Sequence, residues 1–72
     1  MSGELQVTVG KNVRRMREDR GLTQEGLAEL IGVHRTYVGS LEAGSRNLTL
    51  RTVEHLAGRL EVTALDLLVE QP

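Results

Sequence analysis

Residues 21–44 read GLTQEGLAELIGVHRTYVGSLEAG, and this segment is typical of two short helices joined by a tight turn. Two such helices cross steeply, so the first needs a small residue at the crossing and the turn needs one that tolerates positive φ. Ala28 and Gly32 meet these two needs, and Val38 offers a compact apolar side chain on the following helix. We therefore predict helices near residues 24–31 and 35–43, with Gly44 ending the second.

The residues before this segment also predict a helix. Apolar side chains recur there at helical spacing, at Leu5, Val9, Val13 and Met16. The stripe predicts a first helix from about Gly3 or Val7 to Arg20, and Gly21 is a natural stop because glycine adopts positive φ freely. Gly10 lies inside this helix and leaves its start uncertain.

Helix starts elsewhere share one pattern, an apolar residue followed by threonine. The pattern occurs at Leu22-Thr23, Leu48-Thr49 and Val62-Thr63. Threonine is a good N-cap, and the apolar residue before it can pack on the helix that follows. The two later occurrences predict helices near 50–60 and 64–69. No segment alternates polar and apolar residues with period two, so we expect an all-α, five-helix domain over residues 1–72.

Composition narrows the function. The 72 residues suffice for one domain, and the absence of cysteine excludes disulfides and thiolate metal sites. There is neither a signal segment nor an apolar run long enough to span a membrane. His34 and His55 are too far apart for a metal-ligand motif, and no catalytic or phosphate-binding pattern appears. We expect no enzyme activity, metal, cofactor, small-molecule ligand or membrane partner.

The charges are unevenly distributed. The net charge is −1, but residues 11–20 hold five basic and two acidic side chains, a local charge of +3. Residues 54–72 hold four acidic side chains and one basic, a local charge of −3. This asymmetry permits a basic DNA-binding face with an acidic opposite end. The alternative is that the charges merely solvate helix surfaces.

The GLTQ–LA–G pattern of residues 21–32 resembles the phage-repressor-like helix-turn-helix family, the Cro and repressor type. The similarity extends from about residue 10 to residue 68. Residues 35–49, RTYVGSLEAGSRNLT, more narrowly resemble the controller proteins of restriction–modification systems. The resemblance implies a bacterial, cytoplasmic transcription regulator that binds a pseudo-palindromic DNA operator as a homodimer. It would activate its own operon and repress it at higher concentration.

The helix near 35–43 would then be the recognition helix in the major groove. Arg35, at its start, can donate two hydrogen bonds from its planar guanidinium to guanine O6 and N7. Outside this motif, the same residue would be interpreted as a solvated arginine. The resemblance implies base contacts from Arg35, Thr36 and Ser40. Tyr37 could reach a thymine or a phosphate, or simply lie on the domain surface.

The resemblance also implies contacts to the DNA backbone. The expected phosphate contacts are Gln24, His34, Ser45, Arg46 and Asn47. Gln24 would also brace the recognition helix, and Asn47 could equally brace its own loop. His34 departs from the serine or aspartate usual before this helix, so we expect a less rigid helix start and a protonated imidazole that attracts phosphate.

The C-terminal helix is too apolar for a free surface. We expect it to form the homodimer interface through Val62, Leu65, Leu68 and Val69. The alternative is that all of these side chains cover the core of the monomer. A two-fold dimer would place its recognition helices roughly 34 Å apart, one turn of DNA.

Two further pairs have expected roles. The resemblance places an internal, structural ion pair at Arg17 and Glu42. Glu25 and Glu29 lie one helical turn apart and resemble a patch that contacts RNA polymerase, although a solvated acidic face is the simpler explanation. The main rival function is an antitoxin or another protein-interaction module of the same fold.

Overall fold

The structure is a computed structural model that describes residues 3–71. Its elements, in chain order, are α1 (Gly3–Asp19), α2 (Gln24–Ile31), α3 (Arg35–Glu42), α4 (Leu50–Leu60) and α5 (Ala64–Leu68). Residues 3–71 contain no strand, so the predicted all-α fold is confirmed. α1 packs on α3 and α5, α2 packs on α3 and α4, and α4 packs on α5.

The helix starts follow the predicted threonine pattern. The Thr23 hydroxyl accepts a hydrogen bond from the Gly26 backbone N–H at 3.0 Å, and Thr49 caps α4 in the same way. At α5 the cap is reciprocal, because Thr63 accepts from the Asp66 N–H while the Asp66 carboxylate accepts from the Thr63 N–H. These side chains satisfy backbone donors that a helix start leaves without partners. The predicted caps are therefore confirmed.

The helix ends are also determined locally, with one exception. Positive φ occurs at the glycines that follow α1, α2 and α3, namely Gly21, Gly32 and Gly44. Gly32 has a φ of 76° and donates its N–H to Ala28 O, which turns the chain from α2 toward α3. α4 instead ends at Glu61, which takes a left-handed φ of 59° without being glycine. The sequence alone carried no signal for that conformation.

The core is entirely aliphatic and draws on all five helices. Its fully covered members include Val9, Val13, Leu27, Ile31, Val38, Leu41, Val53, Leu56, Leu60 and Leu67. Leu5, the first member of the apolar stripe of α1, is 41% exposed, so the stripe does not face the core along its whole length. The reason is that the first turn of α1 lines an open groove beside Leu68 instead of the core.

Gly10 lies at a close approach between α1 and the end of α3. It lies within α1, and a Cβ at this position would be 2.9 Å from Glu42 O and still nearer to Leu41 O. No side chain fits there without moving the end of α3. Gly10 therefore allows α1 to pack closely against the last turn of α3. From the sequence alone, Gly10 indicated only that the start of α1 was uncertain.

Polar side chains tie the C-terminal residues to α1. Buried Asn12 donates through Nδ2 to Leu67 O at 2.8 Å and to Val69 O at 2.9 Å. Arg20 donates to Leu60 O at 2.6 Å, at the end of α4. The two Asn12 bonds hold the end of α5 against α1, and the Arg20 bond holds the end of α4. Within residues 3–71, no helix is both long and apolar enough to traverse a membrane.

Candidate nucleic-acid interface

The end of α3 is held by an ion pair with α1. Arg17 donates to Glu42 in a bidentate manner, with Nε–Oε2 at 2.6 Å and Nη2–Oε1 at 3.1 Å, and its Nη1 donates to Leu22 O at 2.9 Å. The side chains are only 13% and 5% exposed. The hydrogen bond to Glu42 raises the pKa of Arg17 above its ordinary value. The structure thus brings together the two residues that the family resemblance pairs.

Gln24 extends this network to α2. Its Nε2 donates to Glu42 Oε1 at 3.2 Å, across the crossing of α2 and α3. The side chain is half-buried, and Nε2 carries a second hydrogen that this bond does not use. Gln24 therefore braces α3 directly, and that second hydrogen is the group available for a phosphate.

The N-terminus of α3 is exposed and well capped. Arg35 and Thr36 are exposed, and the His34 imidazole accepts the Thr36 backbone N–H at Nδ1, at 3.1 Å. The expectation of a less rigid helix start is wrong, because the ring nitrogen replaces the oxygen of a usual cap. A proton on Nδ1 would remove this bond. The cap therefore requires the neutral ring with its hydrogen on Nε2.

The loop after α3 is anchored on α3 itself. The Arg46 guanidinium lies over the Tyr37 ring at 4.5 Å from its centroid, and Arg46 Nε donates to Ser40 Oγ at 3.1 Å. Ser40 Oγ in turn donates to Tyr37 O at 2.9 Å, and Ser45 Oγ donates to Ser40 O. Ser40 is half-buried and its only hydroxyl proton is used inside the protein. This disfavours the base contact predicted for Ser40.

A continuous polar surface results, which we call the α3 face. It consists of Arg35, Thr36, Tyr37, Ser40, Ser45, Arg46 and Asn47. Its helical part is fixed by the Arg17–Glu42 pair, and its loop part is fixed by the contacts of Arg46. A rigid helix start with an exposed arginine, beside a loop with a second arginine, matches what a DNA groove and its phosphates require.

The basic residues of α1 do not form a comparable surface. Arg14 pairs with Glu18, Arg15 with Asn12 and Arg17 with Glu42, and Arg20, just after α1, donates to Leu60 O. Lys11 and Arg15 line a groove beside Glu70, near the C-terminal segment. Arg17 and Arg20 therefore help to hold the bundle together, whereas Arg14 pairs only across an exposed turn of α1.

The C-terminal apolar surface divides into two classes. Leu65 is 67% and Val69 is 51% exposed, whereas Val62 and Leu68 are half-buried and pack against the core. Val62 and Leu68 thus cover the core in part, as the alternative interpretation expected, and the dimer contact of Leu65 and Val69 stays a prediction. Leu5 in α1 shares a groove with Leu68, a neighbour that helical spacing alone does not indicate.

Glu25 and Glu29 are both exposed on α2. Within residues 3–71 neither carboxylate is hydrogen-bonded to the α3 face, and both are accessible to a partner. Among residues 3–71, no group of three or more His, Cys, Asp or Glu side chains is arranged to hold a metal ion.

Known proteins match this chain in both sequence and structure. A helix-turn-helix family model (HTH_3) matches residues 13–67. The control protein C.SmaI of Serratia marcescens is 43% identical over 68 residues, which cover 94% of this chain and 81% of that protein. The restriction-modification controller protein C.AhdI of Aeromonas hydrophila superposes with a TM-score of 0.77 at 38% identity, covering 90% of this chain and 94% of that one.

A second solved structure includes DNA. The restriction-modification controller protein C.Esp1396I was solved as a tetramer in complex with its natural 35-base-pair operator. It is 37% identical to this chain, with a TM-score of 0.72, and the alignment covers 82% of this chain and 78% of that one.

Proposed function

This chain belongs to the helix-turn-helix family HTH_3, and from that membership we propose that it is a sequence-specific, double-stranded-DNA-binding transcriptional regulator. Its similarity to C.SmaI and C.AhdI supports a narrower role, as the controller of a restriction–modification operon. In this role residues 1–72 act as one helix-turn-helix domain that binds DNA and catalyses no reaction. A protein of this kind works on the bacterial chromosome, in the cytoplasm.

The observation that carries the proposal is the exposed start of α3 on a braced helix. α3 enters the major groove with Arg35 foremost, and the Arg35 fork donates to guanine O6 and N7. Thr36 offers a methyl group or a hydroxyl to the adjacent base. The Arg17–Glu42–Gln24 network supports the proposal because it fixes the angle at which α3 leaves the bundle.

The remaining members of the interface contact phosphates and position the protein. Arg46, Ser45 and Asn47 follow the backbone on one side of the groove, and Gln24 contacts it from the start of α2. His34 donates Nε2–H to a phosphate while Nδ1 keeps its bond to Thr36. This arrangement requires a neutral ring, in place of the protonated imidazole that the sequence suggested.

We propose that the protein acts as a two-fold homodimer. The exposed Leu65 and Val69, flanked by half-buried Val62 and Leu68, supply an apolar surface on α5 and its neighbours. A two-fold axis there would place the α3 helices roughly 34 Å apart on a pseudo-palindromic operator. The operator-bound tetramer of C.Esp1396I supports self-association on DNA as a property of such controllers.

Regulation would depend on how many copies of the protein are bound to the operator. At low concentration the bound protein would activate its own operon, with Glu25 and Glu29 offered to RNA polymerase. At higher concentration, additional copies on the operator would repress it. Both carboxylates are exposed on α2, as this role requires.

A second candidate is an antitoxin or another protein-interaction module. The observation that favours it is the charge distribution, because the net charge is −1 and most basic residues of α1 have internal partners. A protein with a net negative charge has little overall electrostatic attraction to DNA.

The proposal is tested on the DNA upstream of the protein's own gene. Footprinting with purified protein should protect a two-fold symmetric sequence. A reporter driven by the same DNA should rise and then fall as the protein concentration increases. Absence of protection at moderate salt, with the protein folded, would favour the protein-interaction module.

A further inference from the structure

Arg46 belongs to a loop, yet its side chain makes two contacts with α3. Its guanidinium lies 4.5 Å above the centroid of the Tyr37 ring, and its Nε donates to Ser40 Oγ at 3.1 Å. Ser40 is itself fixed, because its hydroxyl donates to Tyr37 O at 2.9 Å. One hydroxyl and one ring on α3 therefore determine where the guanidinium lies and how its plane is oriented.

The bonding capacity of Ser40 and Arg46 determines which edge faces DNA. A hydroxyl has one proton, and that of Ser40 already points to Tyr37 O, so Ser40 can only accept from Arg46. A guanidinium has five N–H groups, and the Nε–H is the one used by Ser40. A phosphate or base must then bind the four N–H groups on Nη1 and Nη2.

We propose that Ser40 is a positioning residue for Arg46 and does not read a base. It holds the guanidinium in advance of binding, so that the Nη1–Nη2 edge meets the DNA without first having to be ordered. This inference rests on the proposed DNA-binding function and specifies how one of its contacts is prepared.

Preorganisation of this kind contributes to affinity because an arginine side chain without such contacts loses rotamer freedom when it binds DNA. Loss of the Ser40 hydroxyl should weaken binding by about 3-fold per subunit, the lower part of the range for ordering one long side chain. A two-fold dimer uses the contact twice, so the dimer should lose about 10-fold.

The variants Ser40→Ala, Ser40→Thr and Arg46→Ala, together with the double variant Ser40→Ala/Arg46→Ala, test the proposal. Alanine is the better helix former, so Ser40→Ala should leave α3 folded, which thermal unfolding checks. Ser40→Thr keeps the hydroxyl and is the conservative control. Binding is measured by fluorescence anisotropy on a duplex selected with the wild-type protein, at fixed salt.

We expect Ser40→Ala to bind about 10-fold more weakly, with unchanged base preference, and Ser40→Thr to stay within about 2-fold of wild type. In the Arg46→Ala background the Ser40→Ala change should have no further effect. Unchanged affinity of Ser40→Ala would overturn the proposal, as would an equal loss in the Arg46→Ala background or a relaxed base preference. Failure of the wild type to select any duplex would instead overturn the proposed function itself.

Discussion

Replacing Glu42 with alanine tests how much of the fold depends on the ion pair beneath the α3 face. The change leaves the Arg17 charge without its carboxylate, on a side chain that is only 13% exposed. Breaking one partner of such a buried pair costs about 3–5 kcal/mol. A domain of this length has a total stability of about 4–11 kcal/mol, so Glu42→Ala should lose a large fraction of its free energy of unfolding.

Urea unfolding followed by far-UV circular dichroism measures the loss, at one protein concentration because a dimer's stability depends on it. Arg17→Met, Glu42→Leu and the double variant Arg17→Met/Glu42→Leu form a double-mutant cycle with the wild type. The double variant should be more stable than the sum of the two single losses predicts, because apolar replacements leave no unpaired charge. Glu18→Ala is the control: its pair with Arg14 is 3.5 Å long and more than half exposed on both sides, and its loss should cost no more than about 0.5 kcal/mol.

Two outcomes would refute this reasoning. One is a loss below about 1 kcal/mol for Glu42→Ala, comparable to that of an exposed pair. The other is simple additivity in the cycle, which would mean that Arg17 and Glu42 do not stabilise the protein through each other.

Three further predictions concern packing, assembly and activation. Gly10→Ala should destabilise the fold by about 1–3 kcal/mol in the same unfolding assay, whereas Gly58→Ala, with open space around its Cβ, should be neutral or stabilising. Leu65→Asp should convert the dimer to a monomer in sedimentation equilibrium, while Leu50→Asp, at 66% exposure in the first turn of α4, should leave the dimer intact. Glu25→Lys should abolish activation of the reporter without changing affinity for the operator, and a parallel loss of affinity would contradict the assigned role.

The parts of the fold that depend on neighbouring residues were predictable from the sequence. Thr23, Thr49 and Thr63 cap their helices through backbone N–H groups three residues away, so their roles are visible in the local pattern. Gly32 ends α2 for an equally local reason, its positive φ. The bounds of α2 and α4 accordingly match the predicted ranges.

Features that depend on residues distant in the chain were not predictable in this way. Gly10 is required by the carbonyl groups of α3, which begins 25 residues later in the sequence. The cap formed by His34 depends on which ring nitrogen faces Thr36, and residue type alone does not specify this. Family resemblance supplied the pairing of Arg17 with Glu42, which no local pattern contains.

The candidate site was only partly predictable for the same reason. The exposure of Arg35 and Thr36 follows from their place at the start of α3. Ser40 was predicted to face DNA because it lies one helical turn beyond Thr36, but that reasoning ignored the loop. Arg46 folds back onto α3 and occupies the Ser40 hydroxyl.

The most direct test of the central claim, that α3 reads DNA sequence through Arg35, is a selection from random duplex DNA with wild type and Arg35→Ala in parallel at fixed moderate salt. The account predicts that wild type selects a two-fold symmetric motif with half-sites about one DNA turn apart. Arg35→Ala should lose that motif or relax it at a guanine in each half-site. Recovery of no motif by the wild type, or of the same motif by both proteins, would contradict the claim.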